Sequence, residues 1–353
     1  MRGPIHSSMS ILFAPDYRQG SPYQRLLAQA LTNLGWDIDF QLHYRRALPL
    51  ARGVRSAPRT GLLHLHWPEA YHRRVGDMWD EFRQRRFPLD LWLATRQVPL
   101  VLTAHNLQAH NSDGNARAFA NMRAAVRQAH TVIAHSDAAA RLIGERMNVP
   151  SSRIAVIPHG DFSILYPPPI SRDEARQRLG LTAPLIALLF GMVEPYKGIE
   201  EIVTIWPTRS DVELVVAGKP FSPEYEATIT AAISGRSGIT LRPGWLSDDE
   251  LYLWLCAADV AVFNYRTILT SGAACLARSW GIPILIPERL QTVDLDEPAD
   301  RVFRFEEASL ADQLEHALAI GADFGSAADW RYATAWNSIA QRTARLYLRA
   351  LET

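Results

Sequence analysis

Two lysines, Lys197 and Lys219, stand among 37 Lys and Arg residues, and arginine supplies the other 35. Each follows an apolar run and sits beside glycine: Gly-Met-Val-Glu-Pro-Tyr-Lys-Gly spans 191–198, and Ala-Gly-Lys-Pro spans 217–220. A compact ammonium on a flexible stem grips a phosphate as a point charge, and glycine lets the backbone come close to the same group. The pair points to a phosphate-bearing ligand. In the first half, side chains able to move protons or pack on a sugar fall where apolar runs stop. These are the loop at 15–22, His66-Trp67-Pro68-Glu69, and His105-Asn106. A flat indole such as Trp67 offers an apolar face to pyranose C–H groups.

Those loops need a scaffold that ends several strands on one side. Apolar runs at 11–14, 38–40, 62–65, 100–103, 131–134 and 154–157 read as strands, with helical patterns at 23–34, 116–129 and 137–147. Gly35 is a natural stop for the first helix. Alternation of this kind predicts an α/β chain with a parallel sheet covered on both faces. Pro158-His159-Gly160 and Tyr166-Pro167-Pro168-Pro169 then break the pattern. It restarts with strands at 185–190, 212–217, 239–242, 260–264 and 282–286. Helices are expected at 199–207, 222–234, 248–258, 271–280, 309–320 and 328–351. Ser247 followed by Glu250 reads as a capping box. The expected division is 1–165 for the first domain, 166–330 for the second, and 331–353 for a helix crossing back to the first. Ligands of such sheets bind outside the carboxyl ends of the strands, where every candidate loop lies.

At 353 residues the chain exceeds one ordinary core. The balance of 48% hydrophobic and 21% charged residues is that of a globular protein. No apolar run reaches the roughly 18 residues of a membrane span, and Arg2 is followed by no long apolar core of a secretory signal. Cys256 and Cys275 form no CxxC or metal pattern, which fits a reducing cytoplasm. Zero net charge conceals an asymmetry: residues 1–165 hold 20 arginines against 12 acidic residues. Much of the excess lies in 45–96, where Arg83, Arg85, Arg86 and others interleave with Trp79, Phe82, Phe87, Leu89, Leu91 and Trp92. That mixture predicts contact with an anionic membrane surface or a diphosphate-bearing lipid. No nucleic-acid-binding module accompanies the charge, so no nucleic-acid partner is expected.

The motifs in their order resemble one family. Ile-Pro-His-Gly (157–160), Phe-Gly-x4-Tyr-Lys-Gly (190–198), Val-Ala-Gly-Lys (216–219), Asp-Asp-Glu-Leu (248–251), Ala-Ala-Asp-Val (257–260) and Thr-Ser-Gly-x8-Gly-Ile-Pro (270–283) resemble the donor half of a GT-B glycosyltransferase. The nearest likeness is to the family 4-like group that builds bacterial surface polysaccharides. Thr-Ala-His-Asn-Leu-Gln-Ala-His (103–110) and His-Ser (135–136) extend it into the first half. The resemblance implies two Rossmann-like domains facing each other across a cleft. It also implies that Gly191, Lys197, Gly198 and Lys219 hold a donor pyrophosphate. Ser271 and Gly272 would open a helix whose N–H groups suit an anion, with Arg266 adding a cation. One departure stands out. Two glutamates eight apart, common in retaining members, are here Ile268 and Leu276. Hydroxyl contacts would then come from Tyr265, Thr270 or the backbone.

An inverting transfer needs a base for the acceptor hydroxyl. The candidates are Asp16, Glu69, His105 and His110. Arg18, Gly20, Ser21, His66, Trp67 and Asn106 are the expected sugar or acceptor contacts. The expected reaction moves a sugar from a UDP- or GDP-sugar to a lipid-diphosphate-linked saccharide on the inner membrane face, in surface-polysaccharide synthesis. No cofactor or divalent metal is expected, since lysines and a helix N-terminus would stabilise the leaving diphosphate. Asp294-Leu-Asp296 lies late in the chain, outside the expected donor loops. A sugar-nucleotide 2-epimerase of the same fold and a catalytically lapsed nucleotide-binding scaffold remain the alternatives.

Overall fold

A computed structural model describes residues 9–42, 47–72, 76, 78–107, 116–290 and 301–352. Two expected features, His110 and Asp294-Leu-Asp296, lie outside the described residues, as do Arg45, Arg46, Arg73 and Arg74. The chain divides into one unit made of Met1–Gly160 with Thr334–Thr353, and a second made of Asp161–Ala333.

The first unit carries six parallel strands: β1 Ser10–Ala14, β2 Asp37–Phe40, β3 Thr60–His66, β4 Leu100–Thr103, β5 Thr131–Ala134 and β6 Ile154–Val156. Its helices include α1 Pro22–Asn33, α2 Pro49–Ser56, α3 Asp80–Thr95, α4 Ala116–Gln128 and α5 Asp137–Met147. Runs such as Ile11–Ala14 and Leu62–Leu65 are buried throughout, as a sheet covered on both faces requires. The strand order is β2-β1-β3-β4-β5-β6. Order reverses between β1 and β3, so the loops after these two strands flank a crevice suited to ligands.

The second unit repeats the architecture with β7 Leu185–Phe190, β8 Val212–Gly218, β9 Ile239–Pro243, β10 Val260–Val262, β11 Ile284–Pro287 and β12 Val302–Phe305. Its helices are α6 Arg172–Leu179, α7 Ile199–Ile205, α8 Pro223–Ile233, α9 Asp248–Ala257, α10 Gly272–Ser279, α11 Leu310–Ile320 and α12 Ala328–Ala333. The order β12-β11-β10-β7-β8-β9 places its switch point between β7 and β10. Loops 191–198 and 263–271 leave from there. The Ser247–Glu250 capping box forms as expected at the start of α9.

Five elements differ from the sequence reading. Helices α2, α3 and α6 and strand β12 are additional. The helix expected over 328–351 is interrupted: α12 ends at Ala333, and α13 spans Trp336–Leu351. Ala335 is extended at φ −55°, ψ 136°, which stops the helical turn between them. Helix α13 belongs to the first unit, where it packs on α1 and across β3 and β4. Tyr347 is buried there against Trp36 and His64.

Candidate active site

In the second unit, the polypeptide leaving β7 turns at once. Gly191 donates its N–H to the Ala217 carbonyl at 3.1 Å, so the ends of β7 and β8 are tied together. A Cβ on Gly218 would lie 1.8 Å from the Gly191 carbonyl oxygen, which no other residue could tolerate. Beyond it, Val193 donates to the Lys219 carbonyl and Phe221 to the Val193 carbonyl, both at 2.8 Å. The two lysine loops are therefore laced together.

Lys197 is buried, and its Nζ donates to the Phe190 carbonyl at 2.8 Å, leaving two further N–H bonds. Burial lowers its pKa to about 8, with Glu194 opposing the shift. The nearby Glu194 carboxyl is itself raised by burial. Gly198 follows at φ +58°, and a Cβ there would meet the Asn264 carbonyl oxygen at 2.5 Å. Asn264 closes this contact by donating to the Gly198 carbonyl at 2.7 Å. Lys219 is exposed on the adjacent loop.

The third loop brings α10. Ser271 caps it, accepting from the Ala274 N–H at 3.1 Å and pairing with the Tyr265 hydroxyl at 2.8 Å. Gly272 is exposed at the first turn and Thr270 is half-buried just before it. Tyr196 and Tyr265 stack at 5.7 Å and 8°, joining the loops after β7 and β10. The structure thus brings Gly191, Lys197, Gly198, Lys219, Thr270, Ser271 and Gly272 to one edge of one sheet. Arg266 reaches the same edge, but its Nε donates to Glu201 at 2.8 Å and its charge also faces Glu200 at 3.7 Å. Its charge is thereby already compensated. Leu276 is buried core.

In the first unit the loop after β1 is held by Gln24, which accepts from the Tyr17 N–H at 2.7 Å and donates to the Pro15 carbonyl at 2.8 Å. Asp16 is gripped by Arg18 through two bonds of 2.9 Å, and Arg18 also lies 3.8 Å over the Phe40 ring. The guanidinium holds the Asp16 carboxyl below its usual range, which makes it a weaker base. Gly20 closes the turn through a 3.0 Å bond to Tyr17, and Ser21 precedes α1 without capping it through its hydroxyl.

After β3, Trp67 adopts a left-handed backbone at φ 39°, ψ 63°. A non-glycine residue there costs on the order of 1–3 kcal/mol and persists only when its surroundings fix it. Trp67 stacks on His105 at 4.1 Å and 9°. Two residues on, burial raises the Glu69 carboxyl above its usual range. Asn106 donates to Oε1 across a long 3.4 Å, and Oε2 has no hydrogen-bond partner among the described residues. A desolvated carboxylate with an idle oxygen has the attributes of a general base. His66 Nδ1 lies 3.3 Å from His105 Nε2, and burial keeps both imidazoles neutral.

The sequence reading did not place three further groups here. His64 bridges Thr103 at 2.8 Å and Tyr347. His135 and His159 stack at 4.0 Å and 28° beside His105. The available signal was positional: histidines recur at or just past the ends of β3, β4, β5 and β6. Of the basic stretch in 45–96, Arg86 is buried and Phe87 and Leu91 are core, which corrects the expectation that they face a membrane. Arg83 is bound to Asp80. The exposed positions of α3 are instead Glu81, Phe82, Arg85, Leu89 and Trp92, with Arg96 just past its end and Arg85 paired to Glu81 at 2.7 Å.

Two doubly wound parallel sheets, each with polar residues at the carboxyl ends of its strands, are the architecture of the GT-B fold. Residues 22–160 match the Glycosyltransferase Family 4 domain. A GDP-mannose:glycolipid 4-beta-D-mannosyltransferase of Xanthomonas campestris is 27% identical over 302 residues, spanning 83% of this chain and 81% of that protein. In fold the chain is similar to sucrose-phosphate synthase of Thermosynechococcus elongatus, with TM-score 0.73 and 17% identity over 97% and 98% of the two chains. It is similar also to Anabaena HepE crystallised with UDP and glucose, with TM-score 0.67 and 14% identity over 97% and 100%.

Proposed function

We propose that this enzyme transfers a sugar, with inversion, from a GDP- or UDP-sugar to a lipid-diphosphate-linked saccharide. The observation that carries the donor assignment is the buried Lys197 ammonium beside Gly191, at the switch point of the second sheet. In this reading Lys197, Lys219 and the N–H groups at the start of α10 hold the diphosphate and stabilise its charge as it departs. Glu69 takes the proton of the acceptor hydroxyl. That oxygen forms the new bond to the anomeric carbon while the bond from carbon to phosphate oxygen breaks, and the electron pair leaves with the nucleoside diphosphate. His66, Trp67, His105 and Asn106 orient the sugar or acceptor, together with Gly20 and Ser21 of the first loop. Neither Ile268 nor Leu276 can bind a sugar hydroxyl, which supports a mechanism without the paired glutamates. No step routes through a metal. GDP is favoured by the Xanthomonas relative, whose name gives GDP-mannose and a glycolipid, and UDP by the HepE complex.

The same reading has the enzyme peripheral on the cytoplasmic face of a membrane, engaged through the exposed face of α3. Among the described residues no helix is long and apolar enough to cross a membrane. Calorimetric titration with GDP and UDP tests the donor assignment. Micromolar binding of one diphosphate, weakened about 10- to 100-fold in Lys197→Ala, is expected from loss of a charged hydrogen bond. Binding unchanged in the variant would remove Lys197 from the site.

A further inference from the structure

Strands β4, β5 and β6 run parallel in register, with Thr103 opposite Ile133 and Ala134 opposite Val156. The chain just beyond their ends delivers His105, His135 and His159 to one buried place. One ring nitrogen from each lies within 4.8 Å of the other two. The ring centroids are 5.2 Å apart for His105 and His135, 4.0 Å for His135 and His159, and 6.3 Å for His105 and His159. Three imidazoles sharing one zinc ion at about 2.0–2.1 Å per bond place their ring centres roughly 5 Å apart. The observed spacings bracket that value, so ring rotations of an ångström or so would close the shell.

The tautomer of His135 supplies a second observation. Its Nδ1 lies 2.9 Å from the Ile157 carbonyl oxygen and must therefore carry the hydrogen and donate. Nε2 is left with its lone pair, buried and without a hydrogen-bond partner among the described residues. A backbone carbonyl on one ring nitrogen is the usual device that fixes an imidazole for metal binding through the other. A proton shared among these rings would place bare charge in a desolvated pocket, whereas a metal ion gains three donor bonds for the same burial.

We propose that His105, His135 and His159 bind one divalent transition metal of the zinc type, with a fourth position open. The strand ends fix the ligands on a rigid sheet, and imidazole donors select zinc, cobalt, nickel or copper over magnesium or calcium. The assignment stands apart from the sugar-transfer reading, although His105 is common to both.

The test is titration of the full-length, tag-free, chelator-stripped protein with cobalt chloride, followed by visible absorption. A d–d band that saturates at one equivalent, is displaced by zinc, and is lost in His135→Ala and His159→Gln is expected. Circular dichroism checks that each variant is folded. Should a variant fail to fold, X-ray absorption at the zinc edge of the zinc-loaded wild type decides. Three imidazole nitrogens at about 2.0–2.1 Å support the site. A wild type with no saturable one-to-one band, a band unchanged in both folded variants, or a zinc shell with fewer than three imidazoles overturns it.

Discussion

Lys197 carries an ammonium that the protein holds at a cost. Burial lowers its pKa from the ordinary 10.5 to about 8. A bound diphosphate favours the charged form and draws that pKa back up, so binding takes up a proton above about pH 8. Affinity for the nucleoside diphosphate is then full below pH 8 and falls by up to tenfold per unit as pH rises past it. Calorimetry across pH 7 to 9.5 reads this directly, and Lys197→Ala should flatten the profile. Glu69 has the opposite sensitivity. It must be ionised to act, and its pKa is raised by burial, so kcat should drop on acidification through that raised value. Glu69→Gln should lower kcat by about 10²–10⁴-fold and abolish the acid limb, with the donor affinity unaltered. These two residues differed in legibility. Lys197 was marked by the rarity of lysine and by its flanking glycines. Glu69 was one of four candidate bases, and only its idle Oε2 and desolvation distinguish it. His135 and His159 were beyond reach individually, because the register of β5 and β6 brings them together across 24 residues of sequence.

At the scale of elements, strands were easier to read than helices. Buried parallel strands are short apolar runs, and eleven of the twelve stood out; Val302–Phe305 did not, because Arg304 interrupts it. Helix α3 was hidden for a different reason. Its arginines lie on both faces, with Arg86 buried and Arg85 exposed, and Pro88 sits inside it, so no polar face separated from an apolar one. The buried Asp90 on this helix accepts from the Leu50 and Ala51 N–H groups at 3.0 Å each, which fixes the start of α2. The outward face leaves Phe82, Leu89 and Trp92 about half exposed. Changing these three to serine should release the protein from vesicles containing anionic lipid in a flotation assay, while GDP or UDP binding persists. Retention on the vesicles would exclude α3 as the membrane contact.

At the scale of the whole chain, the division into two α/β units followed from the restart of the strand–helix pattern after the prolines at 167–169. The return of α13 to the first unit is a tertiary event. Trp336, Ile339, Leu346 and Tyr347 are all buried there. Each is worth about 1.5–3 kcal/mol of burial, against a stability of about 5–15 kcal/mol for a whole domain. Truncation after Ala333 should therefore unfold the first unit and spare the second. In hydrogen exchange, protection should vanish over β1 to β6 and remain over β7 to β12. The central question is whether the chain moves a sugar to a lipid-linked acceptor. Radiolabelled GDP-mannose and UDP-glucose should be incubated in turn with the purified enzyme and an extract of lipid-diphosphate oligosaccharides. Label from one donor should enter the organic phase, and Lys197→Ala should abolish that transfer. Label that stays with the nucleotide as an epimer, or binding of donor with no transfer to any lipid fraction, would contradict it.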